Sequence, residues 1–238
     1  FRRGGGAVWG RTDRRGEERG EMAAALAHQL RTPLATALLY SANLGRADLA
    51  EAARARFAEK TMAQLQRLER LIQEVLLFAR GESIGRDVIP VGQLLGDAAQ
   101  TVQPLFLEKN VAFRVDCRVG EMAVTGSRKA LAGALVNLLE NALQACVAGG
   151  QVMLEATHVD AQLCISVRDT GAGIAPEVRP RVFEPFFTTR GHGTGLGLAI
   201  ALGVARAHGG TIKVNSIAGE GSEFIVLLPG DAAADRAD

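Results

Sequence analysis

Aromatic residues make up only 5% of this 238-residue chain, with one tryptophan and one tyrosine, and cysteine occurs three times. Cys117, Cys146 and Cys164 are odd in number and none sits in Cys-x-x-Cys spacing. A disulfide framework and a zinc site are therefore excluded, and the three read as buried small hydrophobes in a reducing compartment. An excess of one charge sign is missing too. Lys+Arg 27 against Asp+Glu 26 leaves a net +1, so no global field points to nucleic acid or to an anionic membrane. Long apolar runs are also absent: none approaches the ~18 residues that a membrane span requires. The reading is a cytoplasmic chain with no membrane span and no direct nucleic-acid partner. It opens on Phe1 rather than Met and is expected to be a piece of something longer.

What is present is periodicity. Residues 1–20, rich in Arg and Gly, read as a flexible tail, as do residues 231–238. From residue 21 to 44, apolar or small side chains recur at 23, 27, 30, 34, 37, 41 and 44, in steps of four and three, which is the seam of a helix in a bundle. A second seam follows at Leu65, Leu68, Ile72, Val75 and Ala79. Between them Gly45 is placed to end the first helix and Asp48 to cap the second. The result is an antiparallel helical hairpin over residues 21–80. One hairpin exposes too much seam to stand alone, so two copies are expected to form a four-helix bundle, a homodimer. Pro33 lies inside the first helix, where it removes a backbone hydrogen bond and should loosen the turn near His28 and Gln29.

Residues 81–90, with breakers at both ends, read as an interdomain linker. Beyond them the pattern turns to mixed α/β over 91–230. Helices are expected at 91–108, 128–148 and 196–208, and strands at 111–115, 151–158, 162–169, 211–216 and 222–228. This arrangement suggests a mostly antiparallel sheet with helices on one face, an α/β sandwich.

Three constellations in this second part carry chemistry. Asn137 and Asn141 stand four apart on one helix, so their amides project from one face, while Leu138, Leu139 and Ala142 are left to pack. Two neutral oxygens of this kind suit Mg²⁺ that also binds nucleotide phosphates. Asp169 closes an apolar strand and opens Asp-Thr-Gly-Ala-Gly, where a carboxylate can accept from an exocyclic amine and Gly171 and Gly173 admit close backbone approach. Gly-His-Gly-Thr-Gly-Leu-Gly at 191–197 runs into a helix, offering N–H groups to phosphates. It has neither the Lys-Ser/Thr of a Walker loop nor a Rossmann context. Upstream, the Phe-rich stretch 183–190 brings Arg190 near phosphate level.

In order and spacing these elements, with Gly-Glu-Gly-Ser-Glu-Phe at 219–224, resemble the ATPase domain shared by histidine kinases, Hsp90-type chaperones and type II topoisomerases. Ala-His-Gln-Leu-Arg-Thr-Pro-Leu at 27–34 resembles the phosphoacceptor box of a dimerisation domain. Together, about 210 residues resemble the transmitter module of a two-component sensor histidine kinase.

The resemblance implies that His28 accepts the γ-phosphoryl group of ATP, that Asn137 and Asn141 hold Mg²⁺, and that Asp169 reads adenine. It further implies that Gly171 and Gly173 shape the base pocket. Thr189, Arg190, Gly193, Thr194, Gly195, Leu196 and Gly197 would surround the phosphates. Ser222 stands where a hydroxyl supports the adenine-binding aspartate, and Thr32 matches the position that orients water in phosphatase reactions. The implied partner is a response-regulator receiver domain.

Gln29 departs from the family, which carries Glu or Asp after the histidine. Imidazole is largely neutral and nucleophilic near neutral pH, but a glutamine cannot take the proton lost on attack. The wording around His28 and the short stretch before the last helix resemble the flagellar-regulation branch, whose regulators activate σ54-dependent transcription. Two alternatives stand beside this reading: a conformational ATPase with the same pocket, or a dimeric scaffold that has lost catalysis.

Overall fold

The computed structural model describes residue 27 and residues 30–46, 48–79, 87–159, 162–190 and 193–230. His28, Gln29 and His192, both tails and residues 81–86 of the linker lie outside the described residues. The chain divides into two compact units, Phe1–Leu76 and Leu77–Asp238.

The first unit is a helical hairpin. Helix α1 covers residues 30–44 and α2 covers Glu51–Ala79. Tyr40 of α1 meets Phe57 of α2 with ring centroids 6.0 Å apart, and Lys60 lies over the Tyr40 ring at 5.5 Å. Pro33 and Ala37 are buried on α1 and Leu71 on α2. Other seam positions are open to solvent: Leu34 is 47% exposed, Leu65 47% and Ile72 47%, alongside Leu38 and Met62. Asp48 does not cap α2. It pairs with Arg46 at 2.9 Å, which holds its carboxyl below the usual range, and α2 begins at Glu51 with Ala53 and Arg54 donating to the Ala50 carbonyl. The charged neighbour outcompeted the helix N-terminus for that carboxylate.

The second unit is a mixed sheet with helices on one face. Its elements are β1 (Asp87–Pro90), α3 (Val91–Glu108), β2 (Ala112–Cys117), β3 (Ala123–Gly126), α4 (Arg128–Ala145), β4 (Gln151–Val159), β5 (Gln162–Asp169), α5 (Gly197–Ala207), β6 (Thr211–Ile217) and β7 (Gly221–Pro229). A 3-10 turn, Arg179–Arg181, lies before α5. The five-stranded sheet runs β2-β4-β5-β7-β6, and β1 pairs with β3 in a separate antiparallel ribbon. Asp87–Pro90, read from the sequence as linker, is thus strand, and β3 had no counterpart among the expected elements. Both are four residues long, too short for alternation to show. The β2–β4 pair is parallel, the exception in an otherwise antiparallel sheet.

Strict alternation builds the sandwich. Val152, Leu154 and Ala156 of β4, Leu163, Ile165 and Val167 of β5, and Phe224, Val226 and Leu228 of β7 are buried against the helices, with Leu94, Leu95, Leu138 and Leu139. The opposite face carries Arg168 paired with Glu223 at 2.7 Å and Arg118 with Glu155 at 3.3 Å. Of the three cysteines only Cys146 is buried; Cys117 is exposed and Cys164 half-buried, which corrects the uniform burial expected of them.

Helix α4 is anchored at its start twice. The Ser127 hydroxyl accepts from the Ala130 amide at 3.3 Å, an N-cap, while the Ser127 amide donates to His208 Nε2 at 3.0 Å. His208 Nδ1 lies 2.7 Å from the Val204 carbonyl, so with Nε2 accepting the Ser127 amide it is Nδ1 that donates.

Candidate functional site

Asp169 ends β5 at the centre of the sheet, paired in register with Ser222 of β7, and is 3% exposed. Its Oδ1 accepts the Gly171 amide at 2.8 Å, the local turn expected of an Asp-x-Gly sequence. Its Oδ2 is buried and has no hydrogen-bond partner among the described residues. An unpaired buried carboxylate oxygen is costly. Burial pushes the Asp169 carboxyl above the usual carboxylate range, while the Gly171 amide, the Ser222 main chain and the Arg190 charge pull it back. That oxygen awaits a donor, and an exocyclic amine such as that of adenine fits.

Ser222 is buried, but its hydroxyl lies 3.0 Å from Ser216 Oγ, so it is the main chain rather than the hydroxyl of Ser222 that favours the ionised aspartate. Ser216 was not foreseen. Its hydroxyl accepts from the Ile174 amide at 2.8 Å and lies 2.9 Å from the Gly221 carbonyl, tying the glycine loop to the β6–β7 hairpin. Nothing in the sequence around Ser216 distinguishes it from a surface strand serine.

Gly171 is required by approach. A Cβ there would stand 2.6 Å from the Ala145 carbonyl, whose oxygen also accepts the Ala172 amide at 3.2 Å. Gly173 backs onto the main chain of Ile217. The loop after Asp169 is thereby pinned between the end of α4 and the β6–β7 turn.

On α4, Asn137 and Asn141 are half-buried on one face, and the leucines between them are fully buried as expected. A side chain added at Gly197, the first residue of α5, would reach Asn137 Oδ1 at 3.9 Å. The asparagine amides thus sit beside the start of a helix whose first N–H groups have no side-chain cap. Asn141 Oδ1 already accepts from a cationic donor, Arg190 Nη1, at 3.2 Å. The donor set, neutral oxygens next to a helix start without a side-chain cap, fits a Mg²⁺ that arrives with nucleotide. Gln144, which the sequence reading missed, takes the second bond from Arg190 Nη1 at 2.8 Å. Its spacing of three after Asn141 was the available signal.

Arg190 is carried on a closed loop. The Phe186 amide donates to the Gly195 carbonyl at 2.9 Å, and both residues adopt positive φ, 65° and 68°. Gly195 is obligatory because a Cβ would run into the Phe186 main chain. Inside the loop the Thr188 hydroxyl accepts the Arg190 amide at 3.1 Å, and Gly193 packs close on the same hydroxyl. Burial pulls the Arg190 guanidinium below its usual range, with the Asp169 carboxylate acting the other way. Thr189 is exposed; Thr194 Oγ1 accepts the Leu196 amide at 3.2 Å, and Leu196 is buried beneath. Thr32, exposed on α1, belongs to the other unit.

Residues 126–232, which contain every residue of the site but Thr32, match the family described as Histidine kinase-, DNA gyrase B-, and HSP90-like ATPase. The class is therefore an ATP-binding domain of that type. Residues 18–84 match a second family, the His Kinase A (phospho-acceptor) domain, and with both domains in this order the chain belongs to the sensor histidine kinases.

The sensor protein kinase FleS of Pseudomonas aeruginosa is 38% identical over 213 residues, 88% of this chain and 52% of that one. Among solved structures, full-length ShkA in complex with AMPPNP superposes with a TM-score of 0.68 at 31% identity, covering 90% of this chain and 46% of that one. Histidine kinase ThkA in complex with the response regulator TrrA gives a TM-score of 0.76 at 24% identity, over 91% of this chain and 63% of that one, a likeness of fold. The chain spans about half the length of the curated relatives it matches. Among the described residues no helix is long and apolar enough to cross a membrane.

Proposed function

We propose that the chain is a cytoplasmic ATP-dependent kinase that phosphorylates itself on His28 and passes the phosphoryl group to an aspartate of a response-regulator receiver domain. The observation that carries this reading is the buried, partnerless Oδ2 of Asp169 at the heart of an ATPase-family domain, in one chain with a phospho-acceptor match enclosing His28.

In the proposed reaction an imidazole nitrogen of His28 bonds to the γ-phosphorus as the bond to the β–γ bridging oxygen breaks and ADP leaves. The proton of the attacking ring goes to solvent, since Gln29 cannot accept it. Asp169 accepts from the adenine amine, and the N–H groups opening α5 face the phosphates. Asn137 and Asn141 would hold Mg²⁺, which supplies charge neutralisation on the phosphates. Positioning and electrostatics account for most of the rate.

The exposed stripe of Leu34, Leu38, Met62, Leu65 and Ile72 supports a homodimer in which a second copy covers it. The wording around His28, which resembles the flagellar-regulation branch, supports a regulator of flagellar genes, of the σ54-dependent activator class, as the target. Thr32, four residues after His28, supports a phosphatase activity toward that regulator.

Incubation with γ-labelled ATP and Mg²⁺ tests the reading. Label should appear in an acid-labile form, vanish in His28→Ala, and move to a receiver domain. Acid-labile label retained by His28→Ala would overturn the assignment.

A further inference from the structure

Arg190 donates from a single nitrogen, Nη1, to two oxygens of α4: Asn141 Oδ1 at 3.2 Å and Gln144 Oε1 at 2.8 Å. Both partners are uncharged amides, yet the guanidinium is half-buried. One of them is an oxygen that α4 offers to a divalent cation. Mg²⁺ binds oxygen at about 2.0–2.1 Å, and a guanidinium hydrogen-bonded to the same oxygen would set two cations against each other at short range.

We propose that Arg190 is a latch on the metal-binding face of α4. In the nucleotide-free protein it holds the Asn141 oxygen, and it must leave when Mg²⁺ arrives with nucleotide. Metal binding and release of the arginine are then one event. The proposal rests on the ATP-binding reading above.

Three features of the structure favour a latch over a plain structural anchor. The backbone of Arg190 is fixed independently of its side chain, by the Thr188 hydroxyl on its amide and by the Phe186–Gly195 closure around it. The side chain is therefore the part free to swing. Gln144 sits one turn beyond Asn141, outside the pair of metal oxygens, and supplies the shorter of the two bonds. The docked state is also weakly held, because a half-buried guanidinium whose two hydrogen-bond partners are neutral is compensated for its desolvation only by the Asp169 carboxylate, to which it makes no direct bond. Nucleotide phosphates provide an anion it can bond directly, so the displaced guanidinium has a better partner within the same site.

The test uses the full chain, ADP as probe, and calorimetric affinities measured in Mg²⁺ and in EDTA. Gln144→Leu removes the shorter latch bond at an exposed position and leaves Asn137, Asn141 and Arg190 in place. Mg²⁺-ADP should then bind roughly three- to tenfold more tightly than to the unaltered protein, the worth of one such hydrogen bond, with the EDTA affinity unchanged. Arg190→Met provides a second reading: the ratio of Mg²⁺ to EDTA affinity should rise by a similar factor even if both affinities fall through loss of a phosphate contact. An equal change in both conditions, or no gain with Mg²⁺, overturns the latch while leaving the ATP-binding reading intact. Failure of the unaltered protein to bind ADP in either condition removes that reading, and the latch with it.

Discussion

His208 Nε2 accepts the backbone N–H of Ser127 at 3.0 Å, a bond between residues 81 positions apart that closes the end of α5 onto the start of α4. The ring is held from its other side by the Val204 carbonyl, and a Cβ at Gly126 would strike it. Replacing His208 with Ala leaves a partly buried amide without its partner and a void beside Gly126. A loss of about 1–3 kcal/mol is expected, read as a lower urea midpoint for the second unit. His208→Phe should recover some of the packing but not the bond. Equal stability of the Phe variant and the unaltered protein would show the hydrogen bond to be worth nothing.

The partnerless oxygen of Asp169 predicts a pH dependence. Burial raises this carboxyl in the free protein, so in the interval between its unfolded and folded values the native state holds the extra proton. Stability of the nucleotide-free domain is lost as pH rises through that interval. Adenine reverses the preference by donating to the ionised form. ADP affinity should therefore weaken on acidification at a pH above the ordinary carboxylate value of about 3.9, with proton release on binding in that range. Asp169→Asn should weaken binding roughly ten- to a hundredfold and flatten the acid slope. An unchanged slope in that variant would place the titration elsewhere.

Gly171 faces the Ala145 carbonyl with no room for a methyl group. Gly171→Ala should cost about 1–3 kcal/mol through overpacking and lift the loop from α4. The two readouts are thermal midpoint and ADP affinity, and both should fall. A fall in stability alone would mean that the loop can reseat without disturbing the base pocket.

The apolar stripe of the hairpin is expected to hold the dimer. Placing Glu at both Leu38 and Leu65, 62% and 47% exposed in the single chain, buries charge in any interface built on these positions. Sedimentation should show a monomer, with ADP affinity retained because the nucleotide site lies in the other unit. A dimer that persists must use another face.

Gln29→Glu should raise the rate of autophosphorylation toward the ~10²-fold that a positioned general base contributes, and should introduce a carboxylate limb into the pH–rate profile. If neither rate nor profile moves, the proton from His28 does not pass through position 29.

Much of the architecture was readable beforehand because long elements advertise their period. The 18-residue helices α3 and α4, and the alternation of β4, β5 and β7, follow directly from where Leu, Ile and Val fall. The short ribbon β1–β3 did not, since four residues carry no measurable period and Pro90 reads as a breaker. The site showed the same division. Asp169, Asn137 and Asn141 were legible because their motifs are local, whereas Ser216 and His208 matter only through partners distant in sequence. Gln144 lies between these cases: its helical spacing was visible, but its role depends on Arg190, 46 residues away.

The strand order places β7 between β5 and β6, so a strand next to the middle of the sheet is synthesised after all the other strands described. Until Gly221–Pro229 has emerged from the ribosome, β5 lacks a neighbour on one side, Asp169 has no Ser222 opposite it, and the Ser216 hydroxyl has no Gly221 carbonyl to meet. An unfinished chain thus carries the hairpin, the asparagines and the glycine loop while the surroundings of Asp169 stay incomplete. Translation that stops short of β7 yields a chain with its helical hairpin in place and its Asp169 pocket never completed.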